Sequence, residues 1–362
     1  MKLLIDAHVF DGKYQGTRTY LQGLYSYMTK HIDIDFYFAA HNIENIKNIF
    51  GLANNIHYIK LSSSNKIKRL CIEFPKIIKQ YKIDYAHFQY IIPIIKCCKE
   101  IVTIHDILFL DFPQYFPLSY RIKNFLLFRY AANRADLLLT VSNYSKNAII
   151  KHFNLLNKEI HITPNAVLFQ NKEFKLPDIK KIYNLDKYIL SVSRIEPRKN
   201  HQLLLRAYVE LDLYKKNIKL VLVGAKDLKN KIFNDYYNGL SEEIKKSILI
   251  IQTTNSELIA LYKNASLFVF PSFAEGFGIP PIEAISYGCQ TLCSNQTAMK
   301  EFDFLNDNFF SPYDIKELKN KIIKNLNINN TKEQIQFIDK KYNWEKISDK
   351  FYKMLINFSS KQ

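Results

Sequence analysis

Short apolar runs alternate with helical stretches along the whole of this chain, and that alternation restricts the fold more than any other feature. Leu3 to Ile5 reads as a first strand, followed by a loop and a helical stretch from about Thr19 to Lys30. Ile34 to Ala39 is a second strand, and Lys66 to Lys82 carries apolar residues at helical spacing among lysines. Tyr85 to Phe88, Ile101 to Ile104 and Leu137 to Val141 have the length and composition of buried strands, and a helix starts near Tyr144. Strands that alternate with helices predict an α/β protein with parallel sheets covered by helices. The pattern weakens between about 169 and 186, a polar, charged stretch containing Pro177, and then resumes. Tyr188 to Val192, Leu220 to Val223, Ile248 to Ile251 and Leu267 to Phe270 form the second series. The chain has 362 residues, long for one core. The expectation is two doubly wound domains, 1–168 and 187–344, joined by a linker at about 169–186. A last helix begins near Tyr342. Folds of this kind bind ligands at the carboxyl ends of their strands.

Composition narrows the class. Hydrophobic residues make up 48% and no run approaches the length of a membrane span. The start, Met1 to His8, is too soon charged for a signal peptide and reads as a strand. Five cysteines without metal-ligand spacing read as reduced thiols of a cytoplasmic protein. The formal net charge of +17 admits a nucleic-acid or anionic-membrane partner. The same chain is rich in Lys, Asn, Ile, Tyr and Phe, as an AT-rich coding sequence would make it, so part of the charge reflects composition. No helix-turn-helix, RNA-recognition or zinc pattern supports nucleic acid as a partner. Glycine is scarce: nine against roughly 25 at average usage. Six of the nine, at 12, 16, 224, 276, 278 and 288, fall in the motifs that carry chemistry.

The most specific of these motifs runs from Pro271 to Gly288 and holds Glu275 and Glu283, eight residues apart. A buried strand, a turn with Gly276 and Gly278, and a helix start at Pro280 and Pro281 make an anion site from outward-pointing backbone N–H groups. Carboxylates at both ends of the turn would repel phosphate and suit neutral hydroxyls. Such a site fits a nucleotide sugar. The plainer account, an exposed loop acid and a glutamate favouring the helix dipole, covers either residue alone. The segment resembles the Glu-x7-Glu signature of retaining glycosyltransferases of family 4, with its Glu-Gly-Phe-Gly opening, and the resemblance extends over most of the chain.

The resemblance implies a GT-B fold: two Rossmann-like domains facing across a cleft, with the last helix, about 345–362, crossing back to the first domain. It implies that Glu275 grips hydroxyls of the donor sugar and Glu283 the ribose hydroxyls. Backbone groups at Gly276, Phe277, Gly278 and Ile279 would meet sugar and phosphate. In Ser191 to His201, a loop between strand and helix, the family carries an Arg and a Lys on the donor diphosphate, matched here by Arg194 and Lys199. Cations there hold the diphosphate and absorb its growing charge. Arg198 reads as solvated. In Ile101 to Asp106 the family's His-Asp is matched by His105 and Asp106, with His105 near the reacting sugar. A lone histidine at such a place is otherwise a structural residue. In Asp11 to Tyr20, Gly16 and Thr17 would offer N–H groups at a helix start, although the loop lacks the family's commoner double glycine and is no Walker A loop. Gly224 and Thr253 end strands along which the nucleotide would lie.

The resulting expectation is a metal-independent retaining hexosyltransferase of cell-surface polysaccharide or lipopolysaccharide synthesis, without cofactor. Its donor would be a nucleoside diphosphate sugar, with GDP-mannose favoured by the Gly-Thr-Arg-Thr-Tyr and His-Asp segments. Its acceptor would be a saccharide or a lipid-linked saccharide. A nucleotide-sugar epimerase or another GT-B enzyme such as a phosphorylase is the alternative within the fold, and a basic nucleic-acid-binding protein the alternative outside it. Asp33 and Asp35 have the D-x-D form of metal-dependent enzymes but sit in a predicted strand. Two basic, apolar segments, Lys66 to Lys79 and Tyr115 to Tyr130, are either ordinary domain helices or a surface for the anionic inner face of the plasma membrane.

Overall fold

A computed structural model describes residues 1–12, 16–168, 175–225, 230–328 and 331–360. Lys13, Tyr14 and Gln15 of the first glycine loop, and residues 169–174 of the expected linker, lie outside the described residues. Contacts divide the chain into two units, one of residues 1–168 and 342–362, the other of 169–341.

The first unit is built on a seven-stranded parallel sheet. Its strands are β1 (Lys2–Asp6), β2 (Asp35–Ala40), β3 (Ile56–Lys60), β4 (Tyr85–Gln89), β5 (Lys99–Thr103), β6 (Leu137–Thr140) and β7 (Ile160–Ile162), in the order β3-β2-β1-β4-β5-β6-β7. The second holds a six-stranded sheet of β8 (Lys187–Val192), β9 (Ile218–Val223), β10 (Ile248–Ile251), β11 (Leu267–Phe270), β12 (Thr291–Ser294) and β13 (Phe309–Phe310), in the order β10-β9-β8-β11-β12-β13. All recorded pairings are parallel. A parallel sheet needs both faces covered, and the second sheet's β11 is apolar throughout because both of its faces are core. Leu267, Phe268, Val269 and Phe270 of β11 are all buried. The strand order reverses between β1 and β4 in one unit and between β8 and β11 in the other, and such switch points open a crevice beyond the strands' carboxyl ends.

The expected linker contributes a helix, Ile179–Tyr183, to the second unit, where the Tyr183 hydroxyl donates to Glu257 across 2.9 Å. The last helix, Trp344–Ser360, packs on the helix Gly16–Met28 of the first unit. Gly23 is the reason they fit, since a Cβ there would strike the Trp344 indole. The indole N–H donates to the Ala166 carbonyl at 3.1 Å and the Ser348 hydroxyl to the Leu24 carbonyl at 3.1 Å. Between Lys66 and Tyr81 the helix is not uniform. Pro75 has no N–H to give, and the turn before it, Arg69–Glu73, widens to a π-helix.

Candidate active site

In the second unit, the loops after β8 and β11 meet at the switch point. The Glu275 carboxylate, 8% exposed, accepts from Lys199 Nζ at 2.6 Å and Ser272 Oγ at 2.7 Å on Oε1, and from Arg198 Nη1 at 3.2 Å on Oε2. Its backbone N–H donates to Thr297 Oγ1 at 2.9 Å, from the loop after β12. Burial alone would raise this carboxyl, but Lys199 and Arg198 beside it hold it below the usual range. Burial also lowers the Lys199 ammonium, against the pull of Glu275. With Arg194 and Glu196 beside them, three cations meet two carboxylates at the mouth of the sheet.

Arg198 corrects the reading of it as solvated. Its side chain is 14% exposed and pairs with Glu196 at 2.8 Å as well as Glu275. Arg194 is the outward one, 72% exposed, with Glu196 at 3.1 Å. Glu196 therefore ties the two arginines together. The structure thus brings Lys199 and Glu275 together with three residues that sequence reasoning missed or misplaced: Arg198, Ser272 and Thr297. Thr297 has φ of 51°, a strained value for a β-branched residue that only the backbone angles reveal.

The turn between the glutamates runs into the helix Ile279–Ser286, capped by Gly278 at φ 96° with Met299 3.3 Å from where a Cβ would sit. Proline at 280 and 281 removes two of the donors a helix start normally offers. The Phe277 ring packs edge-on against Phe302, aiming that backbone rather than a side chain. Glu283 lies further along the helix and is separate from the Glu275 cluster. It accepts from the Tyr262 hydroxyl at 3.1 Å, and burial raises its carboxyl to about 7. Gly224, at the end of β9, has no room for a side chain, since a Cβ would collide with the Ser193 carbonyl oxygen. That close approach lets the loops after β8 and β9 run side by side. Thr253 is half-buried, one residue before Thr254, which caps the helix Asn255–Asn264.

In the first unit, His105 follows β5 and is 7% exposed. Its Nε2 lies 2.7 Å from Gln89 and its ring meets Tyr20 edge-on at 4.9 Å. Burial lowers it to about 3, so the ring is neutral at physiological pH. Tyr20 belongs to the helix that opens with exposed Gly16 and partly exposed Thr17, so the two first-unit motifs share one corner of the sheet. Asp106 accepts from the Leu108 N–H and starts the next helix. Of the D-x-D pair, Asp33 accepts from the Tyr352 hydroxyl at 2.7 Å and Asp35 sits 3.6 Å from His57. Among the described residues no cluster of three His, Cys, Asp or Glu side chains could hold a metal.

Two family profiles match the chain: Glycosyltransferase Family 4 over residues 16–168 and Glycosyl transferases group 1 over 172–350. The serotype-specific mannosyltransferase WbdA of Escherichia coli is 32% identical over 204 residues, 53% of this chain and 25% of that protein. The O-antigen chain mannosyltransferase B of the same organism is 32% identical over 214 residues, 56% of this chain and 55% of that protein. The chain thus spans a quarter to about half the length of these relatives. Among solved structures, sucrose-phosphate synthase from Thermosynechococcus elongatus superposes with a TM-score of 0.77 at 16% identity, covering 100% of this chain and 99% of that one. With a parallel sheet in each unit and a matching profile over each, the chain belongs to glycosyltransferase family 4 and has the GT-B fold.

Proposed function

We propose that the protein transfers a hexose, with retention of configuration, from a nucleoside diphosphate sugar to a saccharide or lipid-linked saccharide in cell-surface glycan synthesis. The observation that carries this reading is the Lys199–Glu275–Arg198 cluster at the β8/β11 switch point, beside a glycine turn and a helix start. Lys199 and Arg194 hold the diphosphate and stabilise its charge as the glycosidic bond breaks, and no divalent cation is required. Backbone N–H groups at Phe277, Gly278 and Ile279 share that charge. Glu275 Oε1 accepts from both Lys199 and Ser272, whereas Oε2 accepts from Arg198 at 3.2 Å, so Oε2 is the less heavily used oxygen and the one assigned to donor sugar hydroxyls. Glu283 takes the ribose hydroxyls, and His105 hydrogen-bonds the sugar or diphosphate. No residue is cast as a covalent nucleophile. The acceptor attacks the face from which the diphosphate departs, and the departing phosphate takes its proton.

The favoured donor is GDP-mannose, in line with the relatives named as mannosyltransferases. Saturation-transfer NMR against a panel of nucleotide sugars tests the donor, and the anomeric configuration of the product tests retention. An inverted product rejects the mechanism. Binding to none of the panel rejects the function. Full activity in chelator is expected, and a strict need for Mn²⁺ or Mg²⁺ removes the metal-free reading.

The work would be done at the inner face of the plasma membrane. On the helix Leu118–Arg134, Leu118, Ile122 and Leu126 are exposed at every fourth position, a stripe that faces away from the core. Exposed Ile67 and Ile72 belong to the neighbouring basic segment, and the charges of Lys123 and Arg69 lie close enough to Lys66 to lower it, after burial. Apolar side chains beside crowded cations suit an anionic interface. Among the described residues no helix is long and apolar enough to cross a membrane.

A further inference from the structure

His105 is the end of a buried chain of hydrogen bonds. The Gln89 amide stands with its Oε1 2.7 Å from His105 Nε2 and its Nε2 3.1 Å from His87 Nε2. His87 Nε2 is also 2.7 Å from Thr103 Oγ1, and His87 Nδ1 is 2.6 Å from the Tyr25 hydroxyl. Tyr25, His87 and Thr103 are fully buried and Gln89 is 3% exposed. Burial lowers both imidazoles to about 3, so each ring carries a single proton, and the open question is which nitrogen holds it.

Tyr25 supplies the direction. Among the described residues its hydroxyl has one hydrogen-bond partner, His87 Nδ1. A buried hydroxyl proton without an acceptor is costly, so the phenol donates and His87 Nδ1 accepts. The neutral His87 ring then carries its proton on Nε2, which needs oxygens to receive it. Thr103 Oγ1 is one, and the Gln89 amide oxygen is the other, in a three-centre bond. The amide as placed would give the one lone pair of His87 Nε2 two donors, the amide and Thr103, and leave the Tyr25 proton with no acceptor, so its oxygen and nitrogen are exchanged here. The two ends of an amide are assigned by such networks. With its oxygen on His87, Gln89 presents its NH₂ to His105 Nε2. That nitrogen accepts, and the proton of His105 sits on Nδ1.

We propose that Tyr25, His87 and Gln89 are positioning residues that fix His105 as the Nδ1–H tautomer, so that it offers the donor an N–H rather than a lone pair. Among the described residues Nδ1 has no hydrogen-bond partner, which leaves that N–H for a sugar hydroxyl or a diphosphate oxygen. This rests on the reading of His105 as a donor-site residue.

The tautomer is read directly from ¹⁵N-histidine-labelled full-length protein by long-range ¹H–¹⁵N correlation, with His105 assigned by comparison with His105→Asn. The expected signature is a protonated Nδ1 and an unprotonated Nε2. In Tyr25→Phe and in Gln89→Met the ring should move towards Nε2–H, which the free side chain favours. The kcat for transfer should then fall on the order of 10²-fold, as when one donor to a transition state is lost. An Nε2–H ring in the wild type overturns the proposal, and so does an Nδ1–H ring that survives in both variants. A ring that switches while kcat stays unchanged upholds the relay and instead removes His105 from the donor site.

Discussion

Lys199 and Glu275 lie 76 positions apart in the chain and 2.6 Å apart in the fold, with neither side chain more than 12% exposed. The pair brings the loop after β8 against the loop after β11. It places a buried charge pair at the carboxyl end of the second sheet.

Glu275→Gln should therefore act twice. Transfer should fall on the order of 10²–10³-fold, because the carboxylate matters most as the sugar gains positive charge. Stability should fall as well, since Lys199 and Arg198 lose their shared anion, and breaking a buried pair costs about 3–5 kcal/mol. The retained amide hydrogen bonds put the loss at the lower end. Initial rates and thermal melts check the two effects separately. A variant within threefold of wild-type activity sinks the assignment.

The two arginines should separate. Arg194→Ala should weaken nucleoside diphosphate binding more than nucleoside monophosphate binding and leave Tm unchanged, because its side chain is 72% exposed. Arg198→Ala should lower Tm, because it removes a nearly buried cation shared between Glu196 and Glu275. Lys199→Ala should do both. Calorimetry with the two nucleotides and a melt of each variant decide it. Equal losses for both nucleotides in Arg194→Ala count against the diphosphate site.

Donor affinity should depend on pH through Glu283. A carboxyl raised from 4.5 to about 7 favours the folded state while protonated. That contribution to stability is complete below about 4.5 and is lost as pH rises through about 7. Gripping ribose hydroxyls as an acceptor calls for the ionised form, so binding of a nucleotide sugar should strengthen about tenfold from about pH 6 to about pH 8. The diphosphate of an intact nucleotide sugar is already ionised across that range. Glu283→Gln should bind more weakly and without the slope, and a slope that persists in this variant assigns the titration elsewhere.

Membrane binding should need both charge and the apolar stripe. Sedimentation with anionic vesicles at low salt should carry the protein down, and neutral vesicles should not. Arg121→Glu with Lys123→Glu should abolish the preference, and Ile122→Ser with Leu126→Ser should weaken it without lowering Tm, since both residues are exposed. No preference between vesicles in the wild type points to a soluble acceptor.

Gly23→Ala should destabilise the first unit by about 1–3 kcal/mol, the usual result of overpacking. The added methyl meets the Trp344 indole, and the last helix must shift to accept it. A denaturant melt measures this, and an unchanged midpoint would show that the helix pair is looser than described.

Much of the architecture could be read from residue order alone. Strands β8, β9 and β11 each hold at least three consecutive buried apolar residues, so their runs identify them. The strands that escaped notice are of two kinds. β3, β7 and β13 lie at sheet edges; β3 and β7 carry polar residues such as His57, Lys60 and His161, and β13 is only two residues long. β12 is buried but reads Thr-Leu-Cys-Ser, too small and polar to signal a core strand.

The individual residues of the candidate site were also visible in the sequence, because a carboxylate after a strand, a glycine turn and a cation-rich loop each announce chemistry locally. What the order of residues could not decide was their company. Arg198 looked solvated until the fold placed it beside Glu275. Ser272 and Thr297 carry no signal of their own, and the strain at Thr297 exists only as a backbone angle. Pairings across 76 residues, the tautomer of His105 and the raised carboxyl of Glu283 arise from burial and proximity. Sequence determined which groups this protein carries and on which elements. The closing of each sheet decided which of them share a dry, low-dielectric space, where hydrogen bonds and charges act on one another strongly.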